Sequence, residues 1–214
     1  APTPESSGPT EQQKREAVAE FTPGRLDNME NAAANARNFP TFATLPADAA
    51  ERNLKDHELL SIQQYAGNIF RQVNPFLREG KPVGFDAQER GAETLSRFVA
   101  AMNDGLDKLP NVEGDVYRGL SMRRDPDLIK EIADQYVPGQ VVTENAFTST
   151  SAEAKSAFTG PIQFAIRSKR GKNINAVSGN LEKEVLFKNG TQFKVLDKTE
   201  REDGSVTIFM EEAD

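Results

Sequence analysis

Ile162-Gln163-Phe164-Ala165-Ile166-Arg167 alternates apolar and polar side chains along the chain. Successive side chains of an extended segment point to opposite faces, so this period buries Ile162, Phe164 and Ile166 and leaves their neighbours toward water. The stretch is therefore a half-buried strand. By the same reading, further strands are predicted at Asp115–Leu120, Val141–Thr148, Asn173–Val177, Glu184–Phe187, Gln192–Leu196 and Ser205–Met210. Asn189-Gly190, between two of them, has the signature of a tight hairpin turn, whose central residues need positive φ. The basic run Arg167, Lys169, Arg170, Lys172 reads as a solvated loop between strands.

Upstream the period changes to that of helices. Leu59, Ile62, Ala66, Ile69 and Val73 recur at steps of three and four, which predicts a helix over about 47–73 that Asn74-Pro75 breaks. A second helix is expected from Asp86, which has capping-box spacing to Glu89. Its buried stripe is Leu95, Phe98, Val99, Met102 and Leu106, and Pro110 ends it. A third starts at Asp125-Pro126, with Asp125 as N-cap and proline in the first turn. It turns Leu128, Ile129, Ile132 and Tyr136 inward and stops at Pro138-Gly139. Helices first and strands later predict an α+β fold. Residues 1–46, opening with Pro2, Pro4, Ser6, Ser7, Gly8 and Pro9, have few apolar anchors and read as a flexible tail or arm before a domain at 47–214.

Composition narrows the functional classes. The 214 residues carry a net charge of −7, so no large basic field serves nucleic acid or anionic lipid. The absence of cysteine removes disulfides, thiolate zinc sites and cysteine nucleophiles. One histidine, His57, excludes multi-histidine metal sites, and its setting in Lys55-Asp56-His57-Glu58 reads as surface. No apolar run reaches membrane-spanning length, and no secretory signal is visible. A monomer without nucleic-acid partners is expected.

Three short segments carry residues suited to chemistry. In Val116-Tyr117-Arg118-Gly119-Leu120 an arginine sits on an apolar strand, where its planar donor fork suits a phosphate or a carboxylate. The plain reading is a strand-edge ion pair. Phe147-Thr148-Ser149-Thr150-Ser151 alternates hydroxyls that can hold another side chain, or simply ends a strand in polar residues. In Leu181-Glu182-Lys183-Glu184-Val185-Leu186-Phe187 two glutamates one residue apart on a strand point the same way. They form a proton-accepting and charge-stabilising pair, or a solvated edge.

In this order the three segments resemble the arginine-serine-glutamate class of mono-ADP-ribosyltransferases, which includes bacterial toxins and effectors and arginine-specific vertebrate enzymes. Tyr65-Ala66-Gly67, Phe70, Asn74 and Leu77-Arg78 resemble the helical segment of that family, with Ala66 where threonine is common and Phe70 where a tyrosine often stands. Phe158-Thr159-Gly160-Pro161-Ile162 resembles its phosphate–nicotinamide loop, without the arginine that many members carry before the proline. The resemblance covers roughly Leu59 to the C-terminus.

The resemblance implies two packed, mostly antiparallel sheets with flanking helices around a cleft for NAD⁺, with residues 47–214 as the catalytic domain. It implies transfer of ADP-ribose from NAD⁺ to an arginine of a target protein, with no metal, by a chain secreted or injected into a target cell. Arg118 binds the cofactor's phosphates or ribose, with Arg78 or Arg167 standing in for the missing loop arginine. Gly119 lets the backbone approach the nicotinamide amide, Ser149 orients Glu184, and Phe158 stacks on the nicotinamide ring. Tyr65 and Asn74 also contact the cofactor. Glu184 stabilises the cation formed as nicotinamide leaves, and Glu182 positions and deprotonates the acceptor guanidinium. The loop from Asn175 to Leu181 meets the target. Two alternatives stand beside this: an NAD⁺ glycohydrolase without a protein acceptor, against which Glu182 speaks, and a non-enzymatic interaction module, against which the presence of Arg118, Ser149 and Glu184 speaks.

Overall fold

The computed structural model describes residues 8–29, 53–83, 91–157, 159–178 and 183–214. The chain divides into two compact units, Ala1–Lys108 and Leu109–Asp214.

The first unit is helical. Its first helix, α1 (Glu11–Phe21), lies inside the stretch that reads as a tail or arm. Thr10 and Gln13 form a reciprocal capping box at its start, and Ala17, Val18 and Phe21 form a buried stripe. Phe21 packs on Phe98 with ring centroids 4.8 Å apart. Sparse apolar anchors suffice here because they fall on one helical face.

The long helix expected up to Val73 takes a different course. It runs as α2 (Asp56–Gln64), a π-helical turn at Tyr65–Ile69, and α3 (Phe70–Glu79). Leu59, Ile62, Ile69 and Val73 are inside as expected, but Tyr65 takes the buried place between Ile62 and Ile69 and Ala66 is only half-buried. Pro75 does not end the helix; it lies inside α3, which stops at Gly80 in the left-handed conformation (φ 69°). An internal proline costs about 3 kcal/mol. Burial of Val73 and Phe76 on either side offsets that by about 1.5–3 kcal/mol each. The fourth helix, α4 (Ala92–Asp107), buries the full expected stripe. The expected cap at Asp86 and Glu89 lies outside the described residues. At Gly105 an added Cβ would stand 3.1 Å from both Glu58 and Ile62 side chains, so α2 and α4 cross closely there.

The second unit is built from strands. In chain order they are β1 (Asn111–Leu120), β2 (Val141–Glu144), β3 (Thr148–Ser151), β4 (Ile162–Asn173), β5 (Glu184–Phe187), β6 (Thr191–Glu200) and β7 (Val206–Glu212). Helix α5 (Pro126–Ala133) precedes β2, and single turns α6 (Ala154–Ala157) and α7 (Asn175–Ser178) flank β4. Asp125 caps α5 as expected, and Ile129 and Ala133 are buried against the sheet with Ile132 and Tyr136 packed beside them, but Leu128 is 39% exposed.

The strands are hydrogen-bonded in the order β1-β3-β5-β4-β7-β6-β2, and β1 also pairs with β4. Every pairing is antiparallel except the parallel β4–β7. Two arms, β7-β6-β2 and β1-β3-β5, thus diverge from β4, and both feed one core that includes Val116, Phe164, Ile166, Val185, Phe193 and Ile208. This is the packed, mostly antiparallel sheet architecture of the α+β expectation, with the arms joined into one network.

Four sequence expectations change. The strand predicted at 141–148 is two strands, β2 and β3, because the chain buries Ala146 and Phe147 while crossing from one arm to the other. The basic run is not a loop but the second half of β4. Arg167 lies 3.9 Å from Asp115, and Arg170 binds Glu212 at 2.9 Å. Asn189-Gly190 makes a turn, with Gly190 at φ 78°, but no hairpin: β5 pairs with β3 and β4, and β6 with β7 and β2. The strand predicted at Asn173–Val177 ends at Asn173. Its side-chain oxygen accepts the Asn175 N–H at 3.1 Å and turns the chain into α7.

Candidate active site

The site-bearing strands β1, β3 and β5 present two faces. Thr148 is in register with Phe187, and Thr150 with Val185. Val185 and Phe187 belong to the core, so the threonines share the core face and are buried. By alternation, Ser149, Ser151 and Glu184 share the opposite face. Both glutamate and Ser149 are half-buried.

Tyr117, Ser151 and Glu184 form one row, since Tyr117 pairs with Ser151 and Ser151 with Glu184. Ser151 is therefore the direct cross-strand neighbour of Glu184, and Ser149 is the diagonal one. Strand β1 touches β3 at that single pair. One residue further on, the Arg118 guanidinium donates from Nη1 to the Ser149 carbonyl at 3.0 Å. Arg118, Ser149 and Glu184 thus lie on three consecutive strands. Tyr117 and Ser151 complete that row: Ser151 belongs to the hydroxyl segment quoted above, while Tyr117 was not singled out and its signal was adjacency to Arg118.

Gly119 has a reason of its own. A Cβ there would meet the Thr159 carbonyl oxygen at 2.2 Å and that of Ala157 at 2.5 Å. The backbone that approaches the Cα of Gly119 is thus the connection between α6 and β4. Gly160, at φ 103°, reciprocates: a Cβ there would fall 2.0 Å from the Leu120 carbonyl oxygen. Two glycines let this connection lie flat on the end of β1.

The start of β5 is also specific. Lys183 has φ 47°, the left-handed region that non-glycine residues rarely occupy. Its carbonyl accepts from Ala152 N at 3.1 Å, and its ammonium group pairs with Glu153. Glu182 and Phe158 lie outside the described residues. Glu184 N donates to Asn175 Oδ1 at 2.7 Å, a contact not anticipated from the motifs. The remaining cationic candidates differ: Arg167 is exposed on β4 beside Asp115, and Arg78 is exposed in the last turn of α3.

In the helical unit, Tyr65 and Asn74 are brought together. Asn74 Nδ2 donates to the Tyr65 hydroxyl at 3.0 Å, and the Tyr65 ring is 2% exposed, within the π-helical turn. His57 is buried, not on the surface, because the first turn of α2 packs beside the start of α1. Burial lowers its pKa against the pull of Glu58 and Glu11. Glu11, His57 and Glu58 place potential ligand atoms within 4.8 Å of one another. Their carboxylates are already engaged: Lys14 and Lys55 hold Glu11, lowering its pKa to about 2, and Lys108 binds Glu58 at 2.7 Å. Lys14 also pairs with Asp104, so three ammonium groups balance three carboxylates and the cluster reads as an ion-pair network.

No helix among the described residues is long and apolar enough to cross a membrane. A family model described as ADP-ribosyltransferase exoenzyme matches residues 43–213. The chain is 36% identical over 151 residues to the protein Mav of Mycobacterium avium (strain 104), covering 68% of this chain and 16% of Mav. It is 33% identical over 159 residues to the NAD(+)--protein-arginine ADP-ribosyltransferase Tre1 of Pseudomonas putida (strain GB-1), covering 73% of this chain and 29% of Tre1. It thus spans less than a third of either relative. Among solved structures, the ADP-ribosyltransferase HopU1 of Pseudomonas syringae pv. Tomato DC3000 shares the fold with a TM-score of 0.73 at 20% identity, covering 98% of this chain and all of that one.

Proposed function

This chain belongs to the ADP-ribosyltransferase exoenzyme family, and from that premise we propose that it transfers ADP-ribose from NAD⁺ to an arginine of a target protein, acting outside the cell that makes it. One observation carries the assignment of the site. The Arg118 guanidinium is bonded to the strand that bears Ser149, and Ser151 of that strand is in register with Glu184. The relative Tre1, named as an arginine-directed transferase, supports the acceptor class.

NAD⁺ enters as a substrate, supplying a glycosidic bond whose cleavage releases nicotinamide. The residues of the sheet fit it in kind. Arg118 offers a planar cation for a phosphate, held at the strand by the Ser149 carbonyl. Glu184 places a carboxylate on the face it shares with two serine hydroxyls, where it stabilises positive charge growing on the ribose. Ser149 and Ser151 hold that face polar beside it. Glu182, two residues earlier, takes the acceptor role: a guanidinium is a poor nucleophile until a neighbouring base removes its proton. Metal is not required by these roles.

The test is incubation of the chain with labelled NAD⁺ and a cell lysate, followed by mass spectrometry of the labelled proteins. ADP-ribose on arginine side chains is expected. Glu182→Ala is expected to lose transfer and keep NAD⁺ hydrolysis. Label on another residue type, or hydrolysis with no labelled protein, overturns the arginine reading, the second result favouring a glycohydrolase.

A further inference from the structure

We infer that Asn175 is a positioning residue for Glu184, tying the segment that begins at α7 to the aim of the reacting carboxylate. The inference rests on the reading of Glu184 given above. The β4–β5 ladder pairs Lys172 with Leu186 and Asn173 with Val185. One step further, Ile174 N donates to the Glu184 carbonyl at 3.2 Å. There the chain leaves the sheet to form α7, so the backbone of β4 supplies no acceptor for the Glu184 N–H. The Asn175 side-chain oxygen takes that place at 2.7 Å.

Asn175 is itself fixed. Its N–H donates to Asn173 Oδ1 at 3.1 Å, and Ser178 N closes the turn on the Ile174 carbonyl at 2.7 Å. On the other edge, Glu184 is in register with Ser151, and the Lys183 carbonyl is held by Ala152. Lys183, just before Glu184, occupies the left-handed region with φ 47°. Glu184 is the first residue of its strand, and on the β4 side its backbone is held by two contacts, the Ile174 N–H on its carbonyl and the Asn175 side-chain oxygen on its N–H. Backbone direction sets the Cα–Cβ vector, and an error of about 1 Å at a reacting group costs on the order of a hundredfold in rate. Asn175 is also the first residue of α7, so a displacement of that turn carries the partner of the Glu184 N–H with it.

The experiment compares Asn175→Leu, Asn175→Asp and Glu184→Ala with the unchanged chain, reading NAD⁺ hydrolysis and thermal unfolding. Asn175→Leu keeps the size and loses the acceptor. Its kcat is expected to fall about ten- to a hundredfold, with KM for NAD⁺ and the unfolding temperature near those of the unchanged chain. Asn175→Asp keeps an acceptor oxygen and is expected to recover most of the kcat. It should also move the acid limb of the pH–rate profile upward, because a second carboxylate beside Glu184 holds a proton to higher pH. Unimpaired turnover by Asn175→Leu, with Glu184→Ala inactive, overturns the positioning role alone. Equal loss of rate and unfolding temperature in both Asn175 variants also overturns it, marking a purely structural contact. Activity in Glu184→Ala removes the functional reading and this inference together.

Discussion

The molecule contains two charged neighbourhoods that use their polar side chains in different ways. In the helical unit, Glu11, Glu58 and Asp104 end on Lys14, Lys55 and Lys108: side chain meets side chain, and charge is matched by charge. Around the strands of the proposed site, polar side chains also reach backbone atoms, beside ion pairs such as Lys183–Glu153. Arg118 binds the Ser149 carbonyl, Thr150 the Val185 carbonyl at 2.7 Å, and Asn175 the Glu184 N–H. The first pattern staples helices and leaves no reactive arrangement. The second fixes the strands from which Arg118, Ser149 and Glu184 project. A cluster of ionisable residues, by itself, marks structure as readily as chemistry; what distinguishes the site is that its polar groups hold the backbone in register.

That contrast is open to attack at both ends. Replacing Glu184 by alanine should give the largest effect, a loss of about a hundred- to a thousandfold in NAD⁺ turnover, with the unfolding temperature little changed. A variant that melts early but turns over normally would erase the distinction. Gly119→Ala should come next. The connection carrying Ala157 and Thr159 must shift away from β1, a strain of about 1–3 kcal/mol that unfolding measurements register together with a loss of turnover. Lys108→Met probes the helical neighbourhood. It leaves Glu58, whose side chain is 2% exposed, without its ammonium partner and should cost about 3 kcal/mol in denaturant unfolding. Turnover per folded molecule is expected to stay the same.

The smallest effect belongs to His57. Its folded pKa lies below 6.5 through burial, so the unfolded chain takes up the proton first as pH falls. Stability is complete above about pH 6.5 and declines below it. His57→Gln should flatten that part of the stability curve measured between pH 7 and 5. An unchanged slope would assign the pH dependence to the neighbouring carboxylates instead.

Much of this was legible in residue order. Alternation located β4, and a three-four period found the stripe of α4, because both reflect burial of one face against one core. What escaped were features decided by distant partners. Pro75 breaks a helix by local rules, yet Val73 and Phe76 hold it in one. Asn189-Gly190 is a correct turn signal, but no local signal states that the strands on either side pair elsewhere. His57 looked exposed because its immediate neighbours are charged, and those charges are consumed by residues far along the chain. At the site, the motifs named Arg118, Ser149 and Glu184. The register that puts Ser151 opposite Glu184, the left-handed Lys183 and the role of Asn175 depend on where β4 ends, which no motif encodes.

Strand β4 bonds to β1, β5 and β7, so its backbone groups are shared among three neighbours. A strand with three neighbours cannot open toward one without loosening the others. Its amides should be among the last in the chain to exchange with deuterium. Two of the strands that carry the proposed site, β1 and β5, are thereby bolted to one rigid rail.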